Sequence, residues 1–153
     1  KESTLMKESF HYMLMVTQAV FHKKLLTGLQ GTGLTLGQPK VLDYLREHDG
    51  SNQKAIAAAC HIEPASLTSV LGGMEQKGLI ERKSLNGNRR SLHVFLTQKG
   101  KEMVHYVERE FSQLEAQAFS ELTVEERDAF LTAFHKIFET ITAHERTNET
   151  WKN

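Results

Sequence analysis

The sequence predicts a mainly α-helical fold that carries one small β-hairpin. Apolar residues recur at steps of three and four in the first thirty and the last fifty residues, which is typical of long amphipathic helices. Between these regions, two short runs of alternating apolar residues flank Asn86-Gly87, a strong short-range signal for a hairpin turn. With 153 residues, of which 39% are hydrophobic, the chain is long enough for one ordinary domain with a core.

The first predicted element is a long amphipathic helix over residues 5–29. It ends before Gly31-Thr32-Gly33, since two glycines so close together disfavour a helix. Its apolar stripe is made up of Phe10, Met13, Leu14, Val20, Phe21, Leu25 and Leu29.

A capping box predicts the start of the next helix. Thr35 and Gln38 have the spacing at which a hydroxyl and an amide satisfy free backbone amides of the first turn. Pro39 is tolerated there because the first turn lacks partners for its amide groups. We expect this helix to stop at Asp49-Gly50.

Residues 51–78 are predicted to form a short helix, a turn and a second helix. Ser51 is a good N-cap for the short helix, and Pro64 suits the first position of the second helix, over residues 64–77. Gly78 ends that second helix. The buried side of the short helix is expected to consist of Ala55, Ile56, Ala59 and Cys60.

The helix over residues 64–77 has an apolar face and a face of small residues. The apolar face consists of Leu67, Val70, Leu71 and Met74. The opposite side carries Ala65, Ser66, Thr68, Ser69, Gly72 and Gly73. Two adjacent helical glycines cost roughly 1 kcal/mol each relative to alanine, so close approach of another surface should offset them. That surface is either the major groove of DNA or a neighbouring helix.

The hairpin places two arginines beside its turn. Its strands are predicted over residues 79–84 and 91–96, and Arg89 and Arg90 follow the Asn-Gly pair directly. Arginine at such a tip can enter the electronegative minor groove while the preceding helix occupies the major groove. The alternative is ordinary solubilising charge on a turn. Two adjacent arginines favour nucleic acid.

The formal net charge of zero conceals an uneven distribution. Residues 1–49 carry +1, from six Lys and Arg against five Asp and Glu. Residues 50–101 carry +5, from eight against three, and residues 102–153 carry −6, from five against eleven. The basic middle third indicates a surface that faces a polyanion, although a solvated lysine-rich face would give the same count.

Two long helices are predicted to close the chain. The first begins near Thr97, and its stripe is Met103, Val107, Phe111, Leu114 and Ala118. The second follows a capping box from Thr123 to Glu126, and its stripe is Phe130, Phe134, Ile137, Phe138 and Ile141. These stripes exceed what one chain of this length can bury, so we expect a dimer.

Four motifs at fixed spacing occur in the middle of the chain: a helix ending in His-Asp-Gly, a Gln-Lys-Ala-Ile-Ala helix, the exit Met-Glu-x-Lys-Gly-Leu-Ile-Glu-Arg and a wing ending in Leu-Thr-x-Lys-Gly. Together they resemble the MarR family of bacterial winged helix-turn-helix regulators, closely over residues 34–101 and in layout elsewhere. The resemblance implies an N-terminal dimerisation helix (1–33), a winged helix-turn-helix DNA-binding lobe (34–100), C-terminal dimerisation helices (101–146) and a frayed tail (147–153).

The resemblance also implies a homodimeric, ligand-responsive repressor that binds a palindromic operator in double-stranded DNA. Family members carry Asp-x-Arg at the wing tip, where this chain has Asn88-Arg89-Arg90. Arg90 takes the role of the residue that enters the minor groove, and Asn88 replaces the acid and loses the charge-assisted part of its hydrogen bond. The DNA-binding residues are therefore predicted to be Gln53, Lys54, Ala65, Ser66, Thr68, Ser69, Gly73, Asn88, Arg89 and Arg90.

Family members often hold a small aromatic or anionic effector between the dimerisation helices and the DNA-binding lobe. Candidate pocket residues here are Phe10, His11, Tyr12, Met13 and Tyr106. A stripe of methionine and aromatic residues is equally typical of a core.

Other classes of function are less well supported by the residues. No nucleophile-base-acid set or phosphate-binding loop is present, so no enzyme and no cofactor is predicted. No run reaches the roughly 18 to 20 apolar residues of a membrane span, and the single cysteine, Cys60, predicts a reducing, cytoplasmic setting. The alternatives kept open are a winged-helix protein-interaction module and a regulator of the same fold that senses redox state or metal, although no Cys/His cluster predicts a metal site.

Overall fold

The computed structural model describes residues 9–85, 87 and 91–149. As the sequence predicts, these residues are mainly helical and carry one two-stranded antiparallel hairpin, which we call the wing. In chain order the elements are α1 (Phe10–Gly28), α2 (Gln38–Glu47), α3 (Gln53–Cys60), α4 (Pro64–Gln76), β1 (Ile80–Ser84), β2 (Leu92–Leu96), α5 (Gln98–Ala118) and α6 (Val124–Glu149).

The chain divides into two compact units, residues 1–114 and residues 115–153. The first unit contains α1 to α4, the wing and most of α5, and the second contains the end of α5 and α6. Within the described residues, no helix is both long enough and apolar enough to cross a membrane.

The core of the first unit is formed by one face of each of its elements. Helix α2 contributes Val41, Leu42 and Leu45, all fully buried. The predicted apolar face of α4 is confirmed, since Leu67, Leu71 and Met74 are buried and Val70 packs at the edge. Further core residues are Leu25, Leu29, Ile56, Leu79, Ile80, Val94, Val104 and Val107.

The helix starts agree only in part with the sequence prediction. Helix α1 begins at Phe10, where Ser9 is the N-cap, and the predicted residues 5–8 lie outside the described part of the chain. Half of the predicted capping box at α2 forms: the side-chain oxygen of Gln38 accepts a hydrogen bond from the backbone amide of Thr35 at 3.1 Å. The N-cap of α2 is Gly37, at φ 85°, a backbone conformation that favours glycine.

The prediction for the start of α3 was wrong by one residue. The N-cap is Asn52, whose Oδ1 accepts a hydrogen bond from the amide of Ala55 at 2.8 Å. The hydroxyl of Ser51 instead donates to the carbonyl of His48 at 2.7 Å. The predicted buried side was also partly wrong, because Ala55 and Ala59 are exposed and Ala57 is buried with Ile56 and Cys60.

The segment before α3 pairs with the wing, a contact that the sequence did not predict. The amide of Gly50 donates to the carbonyl of Val94 at 2.9 Å, and the amide of Val94 donates to the carbonyl of Ser51 at 2.9 Å. The Oδ1 of Asp49 accepts a hydrogen bond from the amide of Leu96 at 2.8 Å. The base of the wing is therefore tied to the end of α2 as well as to its own partner strand.

The last two helices begin where the sequence places them. The hydroxyl of Thr97 accepts a hydrogen bond from the amide of Gly100 at 3.0 Å at the start of α5. At α6, both halves of the capping box between Thr123 and Glu126 form at 3.1 Å. The predicted apolar stripe of α6 is exposed in the single chain; its residues are Phe130, Phe134, Ile137, Phe138 and Ile141.

Candidate nucleic-acid interface

The small polar face of α4 is open to solvent. Ala65, Ser66, Thr68 and Ser69 are all exposed, opposite the apolar face that packs into the core. The Thr68 hydroxyl donates to the carbonyl of Pro64 at 3.0 Å, one turn earlier in the same helix. Because these side chains are short, a flat polar surface such as a DNA groove can approach the helix backbone closely.

The two glycines of α4 differ in their surroundings. A Cβ built on Gly72 would have no atom within 4 Å outside its own helix. A Cβ on Gly73 would lie 2.9 Å from the Nε2 of Gln38, which is 3% exposed. Close packing against a neighbouring helix therefore accounts for Gly73, which lies against Gln38 of α2. The open side of Gly72 remains available to an approaching surface.

The predicted contacts on α3 lie at its first turn. Lys54 is exposed. Gln53 is partly buried, and its Oε1 is buried without a hydrogen-bond partner among the described residues. Of these two residues, Lys54 is therefore the more accessible to an approaching ligand.

The wing is a regular antiparallel pair. Its register joins Ile80 to Leu96 at the base and Ser84 to Leu92 toward the tip. Gly87 has φ 72°, as expected for the glycine of a tight turn. Asn88, Arg89 and Arg90, the predicted tip residues, lie outside the described residues.

Several cations of the basic middle third are engaged within the protein. The Nζ of Lys77 donates to the Oε1 of Gln38 at 2.8 Å and to the carbonyl of Gly33. The Nζ of Lys99 donates to the carbonyl of Lys77 at 2.8 Å. The count of charges along the sequence did not predict these contacts. They leave fewer lysines free to bind a polyanion than the net charge of +5 over residues 50–101 suggests.

The basic residues of β1 also form contacts within the protein. Arg82 forms two hydrogen bonds to the carboxylate of Glu75 on α4, with Nε–Oε2 at 2.9 Å and Nη2–Oε1 at 3.3 Å. The hydrogen bonds from Arg82 lower the pKa of the Glu75 carboxyl. Lys83 lies 3.4 Å from the carboxylate of Glu81 and 5.6 Å from the ring centre of Phe95.

The residues predicted to line an effector pocket lie on α1 and α5. Phe10, Met13 and Tyr106 are each about half exposed, His11 is exposed, and Tyr12 is partly buried. An open groove in the described part of the chain lies elsewhere, and its walls are Glu75, Gly78, Ile80, Glu81, Arg82, Lys83 and Thr97.

Cys60 is buried, as predicted for a structural thiol. Its side chain is 4% exposed on the inner face of α3, and burial raises its pKa. A raised pKa reduces the thiolate fraction and so disfavours redox reactivity. The residues that the structure describes contain no group of three His, Cys, Asp or Glu side chains able to hold a metal ion.

Residues 34–92 match the model of the MarR family. The chain is 25% identical to the HTH-type transcriptional regulator BilQ of Clostridium symbiosum, over 91% of this chain and 96% of that protein. It is 29% identical to the uncharacterized HTH-type transcriptional regulator YwhA of Bacillus subtilis, over 63% of this chain and 70% of that protein.

Solved structures with the same fold agree with this match. The transcriptional repressor CouR, bound to a 23-mer DNA duplex, superposes with a TM-score of 0.79 and 28% identity, over 90% of this chain and 96% of CouR. The Staphylococcus aureus MepR–DNA complex superposes with a TM-score of 0.81 at 24% identity, over 86% of this chain and 98% of MepR, a likeness of fold.

The exposed small face of α4, the wing that follows it and these matches define a winged helix-turn-helix transcriptional regulator. Over residues 34–92 the chain matches the MarR family, and the relatives that it resembles are regulators of transcription.

Proposed function

We propose that the chain is a homodimeric repressor that binds a palindromic operator, with α4 in the major groove and the wing tip in the minor groove. The observation that carries the proposal is the exposed face of Ala65, Ser66, Thr68 and Ser69, followed directly along the chain by an antiparallel hairpin. The other proposed contacts are Gln53, Lys54, Gly73, Asn88, Arg89 and Arg90. The DNA-bound state of CouR supports this assignment.

The apolar surface of α6 supports the homodimer. Phe130 is 50% exposed and Ile141 is 52% exposed in the single chain, and the apolar residues between them on the same helix are also exposed. A second copy that covers this surface would remove a large apolar area from water, which favours association. A two-fold dimer presents two copies of α4, so its operator would be a palindrome with half-sites about one helical turn apart.

A small aromatic or anionic effector is the proposed signal. Phe10, Met13 and Tyr106 are half-exposed apolar or aromatic side chains, as a ligand-binding surface requires. A solved structure of CouR carries p-coumaroyl-CoA, which supports an aromatic ligand class in proteins of this fold. A repressor of chromosomal genes would act in the cytoplasm of a bacterium.

A salt titration with random duplex DNA tests the nucleic-acid assignment against a protein-interaction module. Phosphate contacts release counterions, so log K should fall linearly with log salt, with a slope of about −0.9 for each contact. A flat salt dependence would favour the interaction module.

Two substitutions test the wing in an operator-binding assay. Arg90→Ala should weaken operator binding by about 1–3 kcal/mol, because a guanidinium inserted into the minor groove makes short-range contacts. Lys101→Ala is the matched control, since Lys101 is an exposed cation without an ion pair among the described residues. Lys101→Ala should weaken operator binding much less than Arg90→Ala does. Equal losses would contradict the minor-groove role of Arg90.

A further inference from the structure

We infer that Glu75 and Arg82 are positioning residues that hold the wing at a fixed angle to α4, so that both elements reach DNA together. The inference rests on the proposed function, in which α4 and the wing tip bind adjacent grooves. Glu75 lies in the last turn of α4 and Arg82 lies at the centre of β1. Neither residue needs to contact DNA for this role.

The geometry of the pair fixes direction as well as distance. Arg82 donates through Nε and Nη2 to both oxygens of the Glu75 carboxylate, at 2.9 and 3.3 Å. Two parallel hydrogen bonds from a planar guanidinium constrain the orientation of the partners, which a single bond from a lysine cannot do. Among the described residues, these are the side-chain hydrogen bonds that join α4 to β1.

Hydrogen bonds hold the backbone between α4 and β1 where the strand begins. Gly78 is at φ 72°, and its carbonyl accepts a hydrogen bond from the Thr97 hydroxyl at 2.6 Å. The amide of Leu79 donates to the carbonyl of Met74 at 3.0 Å. Further along β1, the next side-chain link back to α4 is Arg82. Backbone hydrogen bonds of Val94, the register partner of Arg82, with Gly50 and Ser51 hold the wing against the segment before α3. The Glu75–Arg82 pair adds the side-chain link that orients the wing relative to α4.

The pair contributes little to overall stability, because its carboxylate side is 45% exposed and exposed ion pairs are weak. It also directs the Arg82 guanidinium toward the protein instead of toward a phosphate. Its removal should consequently weaken operator binding without a change in the number of phosphate contacts.

The test is a double-mutant cycle measured by fluorescence anisotropy on the operator at several salt concentrations. Arg82→Met should weaken binding about tenfold, within the range of couplings between connected residues, and the salt slope should stay the same. In the Arg90→Ala background, the same substitution should cost less than about threefold, because a wing tip without its arginine gains little from correct placement. Arg82→Lys should give an intermediate loss.

Lys83→Met is the matched control, since Lys83 is the next residue on β1 and its ion pair is with Glu81 on the same strand. Its effect should be equal in both backgrounds. Glu75→Gln can replace Arg82→Met in the double-mutant cycle, since it weakens the pair without a loss of positive charge. If Arg82→Met does not fold, the cycle of Glu75→Gln with Arg90→Ala still tests the positioning role.

The outcomes separate the two proposals. A salt slope that falls by about 1 on Arg82→Met would show a direct phosphate contact and overturn the positioning role. Equal losses in both backgrounds would also overturn it and leave the proposed function intact. If Arg90→Ala alone leaves operator binding unchanged, the wing contact itself fails, and the positioning role fails with it.

Discussion

At the scale of single residues, Gln38 links the loop before α2 to the end of α4. Its Oε1 accepts hydrogen bonds from the Thr35 amide at 3.1 Å and from the Lys77 ammonium at 2.8 Å. Its Nε2 occupies the space that a side chain at Gly73 would need. Because buried polar groups are costly to leave unpaired, Gln38 cannot easily move aside.

Alanine substitutions at Gly72 and Gly73 should differ in their effect on stability. Gly72→Ala should raise the free energy of unfolding by about 1 kcal/mol, since alanine is the better helix former and nothing blocks its Cβ. Gly73→Ala has the same helical advantage, but its Cβ would contact the buried amide of Gln38, so its gain should be smaller or negative. Urea denaturation of both variants measures the difference. Equal gains would contradict the packing described here.

At the scale of elements, the helix-turn-helix is organised by caps and by pairing with the wing. Asn52 caps α3, while the preceding residues 50 and 51 pair with Val94 of β2. The start of α3, the end of α2 and the base of the wing are therefore fixed together. A substitution at this cap should therefore lower the stability of all three connected elements.

The cap predicts a specific loss of stability. Asn52→Ala should lower the free energy of unfolding by about 1 kcal/mol, because the amide of Ala55 loses its acceptor. Asn52→Asp is the control, since its carboxylate can accept the same hydrogen bond and also favours a helix N-terminus. Thermal or urea unfolding gives the comparison. A variant with alanine that is as stable as the aspartate variant would contradict the cap.

These elements also indicate what the sequence could and could not predict. Periodicity, capping residues and the Asn-Gly turn predicted the helices and strands of the described residues, because burial repeats at 3.6 or 2 residues along a local segment. Periodicity did not separate Ser51 from Asn52 as a cap, since both residue types suit that position. A stretch rich in alanine also carries little information about which face is buried, so Ala57 was missed.

Contacts between distant segments were harder to predict. The Glu75–Arg82 pair, the contact of Gln38 with Lys77 and the pairing of Gly50 with Val94 join separate elements, and no local pattern specifies how close these elements lie in space. The exposed face of α4 was predicted, because small residues at helical spacing opposite Leu67 and Leu71 are a local signal.

At the scale of the whole molecule, the proposed dimer is supported by exposed apolar surface on two separate helices. On α1, Met15 is 68% exposed and Val20 is 55% exposed, and on α6 the residues from Phe130 to Ile141 carry a further apolar stripe. An apolar surface of this extent on a single chain marks an interaction site.

Sedimentation tests the proposed homodimer directly. Sedimentation equilibrium at micromolar concentration should give twice the chain mass of 17.4 kDa. Phe134→Lys should weaken association, because it places a charge in the apolar stripe of α6, whereas Lys136→Ala on the same helix should not. A well-folded monomer at that concentration would contradict the dimer.

The most direct test of the proposed repressor is a comparison of operator DNA with a scrambled duplex of the same base composition. The operator is obtained by selection from a random pool, and affinities are measured by anisotropy at physiological salt. We expect a palindromic site that binds two chains and is at least about a thousandfold tighter than the scrambled duplex, as is typical of specific regulators. Equal affinity for the two duplexes would contradict sequence-specific recognition by α4 and the wing.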